Sequence, residues 1–365
     1  MACLTQYQLF KNTVNHKYSS CFLFYCRFTQ PLEKKLREEL HLGPEVNLSE
    51  YFHMYNPVEL SLDESQCFHA EDYAPYYSGI EKPEGSLLNE IGVLQIPGSM
   101  YHFTKMVSPL RNAKSFEDIQ NFPYVNVTEL YKNGVEQMKT KAGYAHENGK
   151  VASCWIGHMY ECSWAVRGYE QFLEDMVFNK EWCEYNLDRF KDFNLAKAEA
   201  AAKAGADIIR TGDDVANQRA LMFSPKQWRE MMKPRWAEVF EKARSIKPDI
   251  QIWYHSDGNI EEIIPDLIEI GVTVLNPLQP ECMDVVDIKK RYGDKLVFDG
   301  TIGTQTVMPF GTPDDVKRMI SERFETLGYD GALILSPTHV LEPEVPVENI
   351  TAFIEAANVE VGRHN

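Results

Sequence analysis

Two histidines and one aspartate have the residue types and the spacing of a metal site. His255 and Asp257 are two residues apart at the end of a short apolar run, and side chains at such positions share one face of extended backbone. His339 follows a later apolar run. Two imidazoles and a carboxylate suit a divalent ion such as zinc, with one position left for water or substrate. Alternatively, His255 binds substrate or caps a loop without a metal.

A pair of adjacent aspartates forms a second candidate group. Asp213 and Asp214 follow another apolar run, and we expect one to face the site and the other to brace a loop. Both are candidate catalytic residues, although aspartate after a strand is also a common turn residue. Gln218 lies about one turn further on and is a candidate for a hydrogen bond to the same ligand.

The segment from residue 155 to residue 168 mixes polar and aromatic side chains beyond what packing requires. Glu161 is a candidate catalytic residue or an additional metal ligand. Tyr160 and Trp164 are candidates to stack on a flat substrate. His158 and Arg167 are candidates for polar contacts with it.

Other side chains near the ends of apolar runs complete the candidate set. Gln279, Glu281 and Asp299 are expected to line the site, and Gln279 and Asp299 are predicted to bind substrate. Cys162 and Cys282 lie near the same loops. Each is either a further metal ligand or a small, buried apolar residue.

Short apolar runs that alternate with helical patterns must position these residues. The predicted strands share a length of four to six residues and cover 150–155, 205–210, 250–254, 272–275, 295–298 and 332–335. Helices are predicted over 225–243 and 285–292, and from about residues 259, 312 and 347. Continuous apolar strands of this kind are typical of a parallel sheet that is buried on both faces.

This alternation predicts an α/β fold, a (β/α)8 TIM barrel, with a doubly wound sheet as the alternative. The polar residues follow the strands, where barrels and open α/β sheets bind their ligands. The chain is long enough for one barrel domain over residues 1–365, with its clearest repeats over 150–360. Residues 1–110 are less regular and are expected to form an N-terminal extension that packs on the barrel.

Composition excludes several classes of protein. The net charge of −17 disfavours binding to nucleic acid or to anionic membranes. No stretch approaches the ~20 apolar residues of a membrane span, and no signal peptide is recognised. The eight cysteines are dispersed, which is typical of reduced thiols. We therefore expect a cytoplasmic protein that acts on a small-molecule substrate. A homodimer is one oligomeric state to test.

Several ordered motifs resemble the uroporphyrinogen decarboxylase superfamily. They are YHSDGNI at 254–260, NPLQPE at 276–281, PTH at 337–339, PVEN at 346–349 and Gly212-Asp213-Asp214. The resemblance covers about residues 150–360 and implies a (β/α)8 barrel. True decarboxylases of this superfamily carry an arginine-rich N-terminal loop. Here residues 25–31 contain a single arginine, Arg27. The resemblance therefore points away from a porphyrinogen with many carboxylates.

The second branch of the superfamily contains zinc-dependent methyltransferases that exchange methyl groups with a corrinoid protein. Coenzyme M methyltransferases of this branch show a His-x-Cys pair and a later Cys as zinc ligands. This sequence is similar, but Asp257 and His339 stand where the two thiolates would be. Harder ligands suit Lewis-acid chemistry better than activation of a thiol.

The resemblance thus implies a methyltransferase that uses zinc and passes a methyl group from a small substrate to a corrinoid protein. The substrate suggested by the nearby aromatic residues is a methoxylated aromatic compound, so that the reaction is an O-demethylation. The alternative is a lyase that decarboxylates a small carboxylic acid, with Arg167 and Arg210 as candidate contacts. A barrel that binds a ligand without catalysis is a third hypothesis.

Overall fold

The computed structural model describes residues 4–98 and 104–358. Its main sheet has eight parallel strands in the order β1, β11, β10, β9, β8, β7, β6, β2. These strands are Leu23–Phe24 (β1), Val58–Glu59 (β2), Ala152–Gly157 (β6), Ile208–Gly212 (β7), Gln251–His255 (β8), Val274–Asn276 (β9), Val297–Ile302 (β10) and Leu333–Pro337 (β11). A separate antiparallel sheet contains Leu87–Leu88 (β3), Leu94–Pro97 (β4) and Thr104–Val107 (β5).

The helices surround the main sheet. Before β6 they are Gln6–Val14 (α1), Gln30–Glu39 (α2), Leu48–Tyr51 (α3), Ala70–Tyr73 (α4), Phe116–Gln120 (α5), Thr128–Asn133 (α6) and Val135–Glu147 (α7). Between β6 and β8 they are Tyr160–Arg167 (α8), Tyr169–Phe178 (α9), Lys180–Ala204 (α10), Pro225–Met231 (α11) and Lys233–Ile246 (α12). The last five are Ile264–Glu269 (α13), Val285–Tyr292 (α14), Val307–Phe310 (α15), Pro313–Thr326 (α16) and Val347–Ala357 (α17).

This architecture is the predicted TIM barrel. Strands buried on both faces alternate with helices along the chain from β6 onward, as the apolar runs indicated. The two edge strands, β1 and β2, approach each other where the amide of Tyr55 donates to the carbonyl of Phe24 at 2.7 Å. The curled sheet therefore brings the carboxyl ends of its strands toward one mouth.

The N-terminal part of the chain contributes directly to the barrel. The sequence suggested that residues 1–110 form an extension packed on it, whereas the structure places β1 and β2 within the eight-stranded sheet. Each of these strands has only two residues: β1 lies within the apolar run at 21–26, which was not predicted to be a strand, and β2, with Val58 and Glu59, produces no apolar run. The small antiparallel sheet lies in the same part of the chain and outside the barrel sheet.

Proline residues shape two of the predicted helices. The helix expected over 225–243 is divided into α11 and α12, which meet at Met232 immediately before Lys233 and Pro234. Proline lacks an amide hydrogen and is favoured in the first turn of a helix. For the same reason the helix expected from Asn259 begins as a short 3₁₀ turn, and α13 follows with Pro265 at its start.

Candidate functional site

A pocket of about 410 Å³ opens at the carboxyl ends of the strands. Its lining combines imidazoles, carboxylates, guanidinium groups and indoles. The residues that line it are Tyr25, Arg27, Trp155, His158, Glu161, Arg210, Asp214, Trp253, His255, Asn276, Pro337, Thr338, His339 and Val340. Several of them end a strand or follow one, which is the arrangement expected for a barrel that binds its ligand at this face.

His255, the last residue of β8, is held with one ring nitrogen available. Its Nδ1 lies 2.7 Å from Oδ1 of Asn276, the last residue of β9. The side-chain nitrogen Nδ2 of Asn276 donates to the backbone carbonyl of Asp299 at 3.2 Å, and this turns Oδ1 of Asn276 toward the histidine. Nδ1 must then carry the proton, and Nε2 is left as a free acceptor or ligand atom. Nε2 is 3.6 Å from Oδ1 of Asp214.

Asp214, His255 and Asp257 form a compact group. One potential ligand atom from each lies within 4.8 Å of the others. Oδ1 of Asp214 also accepts the backbone amide hydrogen of Asp257 at 2.8 Å. This hydrogen bond connects the loop after β7 with the loop after β8. Burial raises the pKa of Asp257, and the nearby His255 opposes this. Two carboxylates and an Nε2 atom are a suitable donor set for a divalent cation such as zinc.

His339 lines the same pocket but does not belong to this group. Its side chain is exposed, and its Nδ1 is 3.3 Å from the carbonyl of Val340. It is close enough to Asp257 to oppose, together with His255, the rise that burial causes in the pKa of that carboxyl. The structure thus pairs His255 and Asp257 with Asp214 and places the third predicted ligand, His339, beside them on the pocket wall.

Asp213 has a different environment from its neighbour. Its side chain is fully buried and accepts hydrogen bonds from the amides of Met159 and Glu161 and from the indole of Trp236. Burial raises its pKa to about 7. Asp213 therefore links the start of α8 with helix α12. Asp214 is the member of the pair that reaches the pocket.

His158 and Glu161 form a second polar pair in the pocket. Nδ1 of His158 is 3.1 Å from Oε1 of Glu161 and also contacts the carbonyl of Gly212. Oε1 of Glu161 accepts the amide hydrogen of Asp214 at 3.0 Å. Burial raises the pKa of Glu161, which His158 opposes and Asp214 reinforces. The pair can exchange a proton with a bound molecule, and together with Asp213 it forms another group with metal-ligating atoms.

Three residues predicted to bind substrate lie elsewhere. Arg167 is buried, pairs with Asp175 at 2.7 Å and donates to the carbonyl of Leu110. The Tyr160 ring is buried in the core, and Trp164 packs edge-on against Tyr169. None of the three lines the pocket. Residues on one helix face different directions, so α8 turns these three away from the pocket while Glu161 faces it; His158 lies just before the helix.

The remaining candidates have mainly structural contacts. Gln218 is exposed and donates to the side chain of Gln305 at 3.0 Å. Gln279 is buried and accepts the amide hydrogen of Gly258, which fixes the loop after His255. Asp299 is buried below the pocket.

The Asp299 carboxylate accepts hydrogen bonds from Tyr25, Trp253 and Ser336. Burial raises its pKa despite these donors. Asp299 therefore connects three strands and supports the pocket from below. Cys162 and Cys282 are absent from both groups of metal-ligating atoms found among the described residues.

Eight residues of the pocket were not among the predicted site residues. They are Tyr25, Arg27, Trp155, Trp253, Asn276, Pro337, Thr338 and Val340. Trp253 could have been predicted from the sequence, because it lies two residues before His255 and therefore on the same strand face. Its ring stacks on the imidazole at a centroid distance of 5.8 Å. Tyr25 and Arg27 follow β1, which lies within the apolar run at 21–26; that run was a signal, but it was not predicted to be a strand.

A model of the family described as uroporphyrinogen decarboxylase (URO-D) matches residues 108–359, which include β6 to β11 and every residue of the pocket lining except Tyr25 and Arg27. This match covers well over half of the chain. The chain belongs to the uroporphyrinogen decarboxylase family. The family assignment confirms the superfamily resemblance noted in the sequence.

Named relatives include enzymes of two kinds. A "Methylcobamide:CoM methyltransferase MtaA" of Methanosarcina barkeri is 25% identical over 187 residues, 51% of this chain and 52% of that protein. A uroporphyrinogen decarboxylase of Nostoc punctiforme is 20% identical over 302 residues, 82% of this chain and 81% of the relative. The match to the first relative thus spans about half of its length.

A solved structure, a methyltransferase from Methanosarcina mazei, has the same fold. It is 18% identical in sequence, with a TM-score of 0.62 over 97% of this chain and 98% of the other. Within the described part of the URO-D chain, none of the helices combines the length and apolar character needed to cross a membrane.

Proposed function

We propose that this URO-D family protein is a methyltransferase that removes a methyl group from a methoxylated aromatic compound and passes it to a corrinoid protein. The observation that carries the proposal is the group of Asp214, His255 and Asp257 at the mouth of the barrel. The relatives named as methyltransferases support the reaction class.

The donor set fits zinc. The hydrogen bond from Nδ1 of His255 to Asn276 leaves Nε2 free for a metal, as is usual for a metal-bound histidine. Asp214 and Asp257 supply carboxylate oxygens, and His339 is the nearest further imidazole on the pocket wall. Bound at these residues, zinc would act as a Lewis acid toward an ether oxygen.

The chain's own residues supply orientation and a proton. Trp253 stacks on His255 and limits rotation of the imidazole. In the proposed reaction the bond between the methyl carbon and the ether oxygen would break with its electron pair on the oxygen, and a reduced corrinoid held by the partner would accept the methyl group. The oxygen then needs a proton, which Glu161, next to His158, is placed to give.

The decarboxylase alternative keeps one specific observation in its favour. Arg210 lines the pocket, as a lyase acting on a carboxylic acid would require. However, its guanidinium is already paired with Glu59 at 2.6 Å, and Arg167, the other candidate, is buried against Asp175. Because Arg27, which also lines the pocket, can bind a carboxylate in either reaction, we favour methyl transfer on the group of Asp214, His255 and Asp257 and on the relatives named as methyltransferases.

Metal content and methyl transfer test the proposal together. We expect untagged wild-type protein to contain about one zinc per chain and to methylate cob(I)alamin from a methoxybenzoate. His255→Ala should lose both properties, and His339→Ala should retain zinc better than His255→Ala because His339 lies outside the compact group. His69→Ala, at an exposed histidine outside the pocket, is the matched control. Wild-type protein without zinc and without transfer would contradict the proposal.

A further inference from the structure

A second, larger cavity adjoins the pocket. Its volume is about 540 Å³, and we call it the inner chamber. It reaches inward between β1 and β2, where Tyr55, Asn56 and Pro57 form part of its wall. Five residues line both cavities: Tyr25, Arg27, Trp155, Arg210 and Trp253. The two cavities are therefore adjacent and have part of their lining in common. A single molecule can extend from one into the other.

Two indoles mark the boundary between these spaces. Trp155 and Trp253 meet at a centroid distance of 6.4 Å, nearly edge to face. On the pocket side, Trp155 contacts His158 at 4.8 Å and Trp253 stacks on His255. A hydrogen bond from the indole of Trp253 to Asp299 fixes that ring, and the backbone amide of Trp155 donates to Glu59. A molecule held at this boundary presents one part to the histidines and the other to the inner chamber.

The walls of the inner chamber favour a flat, partly apolar body. Tyr25 and Tyr55 add two phenol rings to the two indoles, and Ile208 and Ile334 add aliphatic surface. Aromatic rings prefer edge-to-face or offset contacts, which such walls provide. Cavities of ~300–1,000 Å³ hold drug-sized ligands, so methanol or a methylamine would leave most of this space unfilled.

The lining of the inner chamber contains three cations, Arg27, Lys197 and Arg210, and two carboxylates, Glu59 and Asp299. Arg210 pairs with Glu59 and Lys197 pairs with Glu64, both at 2.6 Å. The Asp299 carboxylate already accepts hydrogen bonds from Tyr25, Trp253 and Ser336. Arg27 opposes the rise that burial causes in the pKa of Asp299, but it forms no salt bridge with a carboxylate of residues 4–98 or 104–358, and its guanidinium lies 5.7 Å from the Tyr25 ring centroid. An exposed arginine of this kind can bind a carboxylate through two parallel hydrogen bonds.

We propose that the inner chamber holds the part of the substrate that is not transferred, a flat aromatic body carrying a carboxylate that Arg27 binds. This inference rests on the proposed function and specifies its substrate class. The methoxy group then faces His158 and His255, and the ring lies on the other side of the two indoles. Because the body of the substrate is inside the barrel, the mouth stays open to the methyl-accepting partner.

Calorimetric titration of the purified protein tests this without requiring turnover. The probes are the three methoxybenzoate isomers and the corresponding methoxybenzyl alcohols, which lack the charge. We expect wild-type protein to bind at least one acid tenfold or more tightly than its alcohol. Arg27→Gln should remove that preference. Asn56→Phe, which fills the inner chamber, should weaken binding of both probes at least tenfold, and Asn121→Phe, the same change at an exposed helix end, should leave it unchanged.

The outcomes separate this inference from the proposed function. Binding that depends on Asn56 and Arg27, without methyl transfer to cob(I)alamin, supports the inner chamber and contradicts the proposed reaction. If Asn56→Phe transfers methyl groups and binds the probes as well as wild type does, the proposed reaction is supported and the assignment of the substrate to the inner chamber is overturned. Equal affinity of wild-type protein for every acid and its alcohol overturns the assignment of Arg27.

Discussion

Asp213 and Asp214 show how strongly the surroundings of a residue determine its role. Both are aspartates at the end of β7, yet one is enclosed by two backbone amides and an indole and the other lies beside His255. Adjacent residues in extended backbone point to opposite sides, so only one of the two can face the pocket. A carboxylate with three donors is structural, whereas one with an exposed edge is available to a ligand.

Asn276 provides the first prediction at this scale. Asn276→Ala removes the acceptor for Nδ1 of His255, so the ring loses its fixed tautomer and orientation. We expect zinc affinity to fall by about 10- to 100-fold, as is typical when the hydrogen-bond partner of a ligating histidine is removed. Competition with a chelating dye measures this change.

Asn121→Ala, at an exposed helix end, is the control for Asn276→Ala. Unchanged zinc affinity in Asn276→Ala, with its fold intact by circular dichroism, would show that His255 is not oriented by this bond.

The spacing of residues predicted some of the site and could not predict the rest. His255 and Asp257 were expected to act together because residues two apart share a face, and they do lie in one group. Asp214, the third member, comes from a different strand. Only the register of β7 with β8, which pairs Gly212 with His255, brings it within reach. Such pairing depends on the packed barrel and leaves no trace in local sequence.

Elements long enough to show a pattern were recognised, and shorter ones were not. The strands from β6 to β11 were anticipated, although they begin one to three residues later than the apolar runs and extend into polar residues such as His255 and Asp299. Two-residue strands are too short to show periodicity, and the apolar run at 21–26 that contains β1 was not predicted to be a strand. Since β1 and β2 carry Tyr25, Arg27 and Glu59 into the barrel, part of the site was missed with them.

The packing of α14 supplies a prediction about an element. Lys289 is buried and both carboxylate oxygens of Asp330 bind its ammonium group, at 2.8 and 2.7 Å. Asp330→Asn leaves a buried cation without its counter-charge, and we expect the free energy of unfolding to fall by about 3 kcal/mol. Chemical denaturation measures this loss. The double variant Lys289→Met with Asp330→Asn should recover part of it, and equal stability of Asp330→Asn and wild type would contradict the pairing.

The same pair predicts a pH dependence. Burial alone would raise the pKa of Asp330, but hydrogen bonds from His16 and Lys289 lower it to about 2, below the ordinary value of 3.8. A carboxyl whose pKa is lowered on folding stabilises the protein above its unfolded pKa and loses that contribution as the pH falls through the folded value. The gap in stability between wild type and Asp330→Asn should therefore be full at pH 7 and shrink from about pH 4 toward pH 2.

At the scale of the whole molecule, charge is distributed unevenly. The chain carries 54 acidic and 37 basic residues, whereas the lining of the inner chamber contains three cations, Arg27, Arg210 and Lys197, and two carboxylates, Glu59 and Asp299. An acidic surface repels anions at long range, so an anionic substrate depends on these local cations once it has entered. The net charge disfavours nucleic acid and anionic membranes as partners, whereas the local charges that matter for a ligand required the folded structure.

The excess of acidic residues also predicts how salt affects stability. At pH 7 the net charge of −17 destabilises the compact state through self-repulsion, and exposed ion pairs contribute little in the opposite direction. Raising NaCl from about 10 to about 100 mM shortens the screening length from about 30 to about 10 Å. We therefore expect the urea midpoint to rise over this range at pH 7. Near the pI of about 5.1 the self-repulsion vanishes, so the increase should disappear or reverse. A rise of equal size at both pH values would mean that salt acts on the apolar core and not on the net charge.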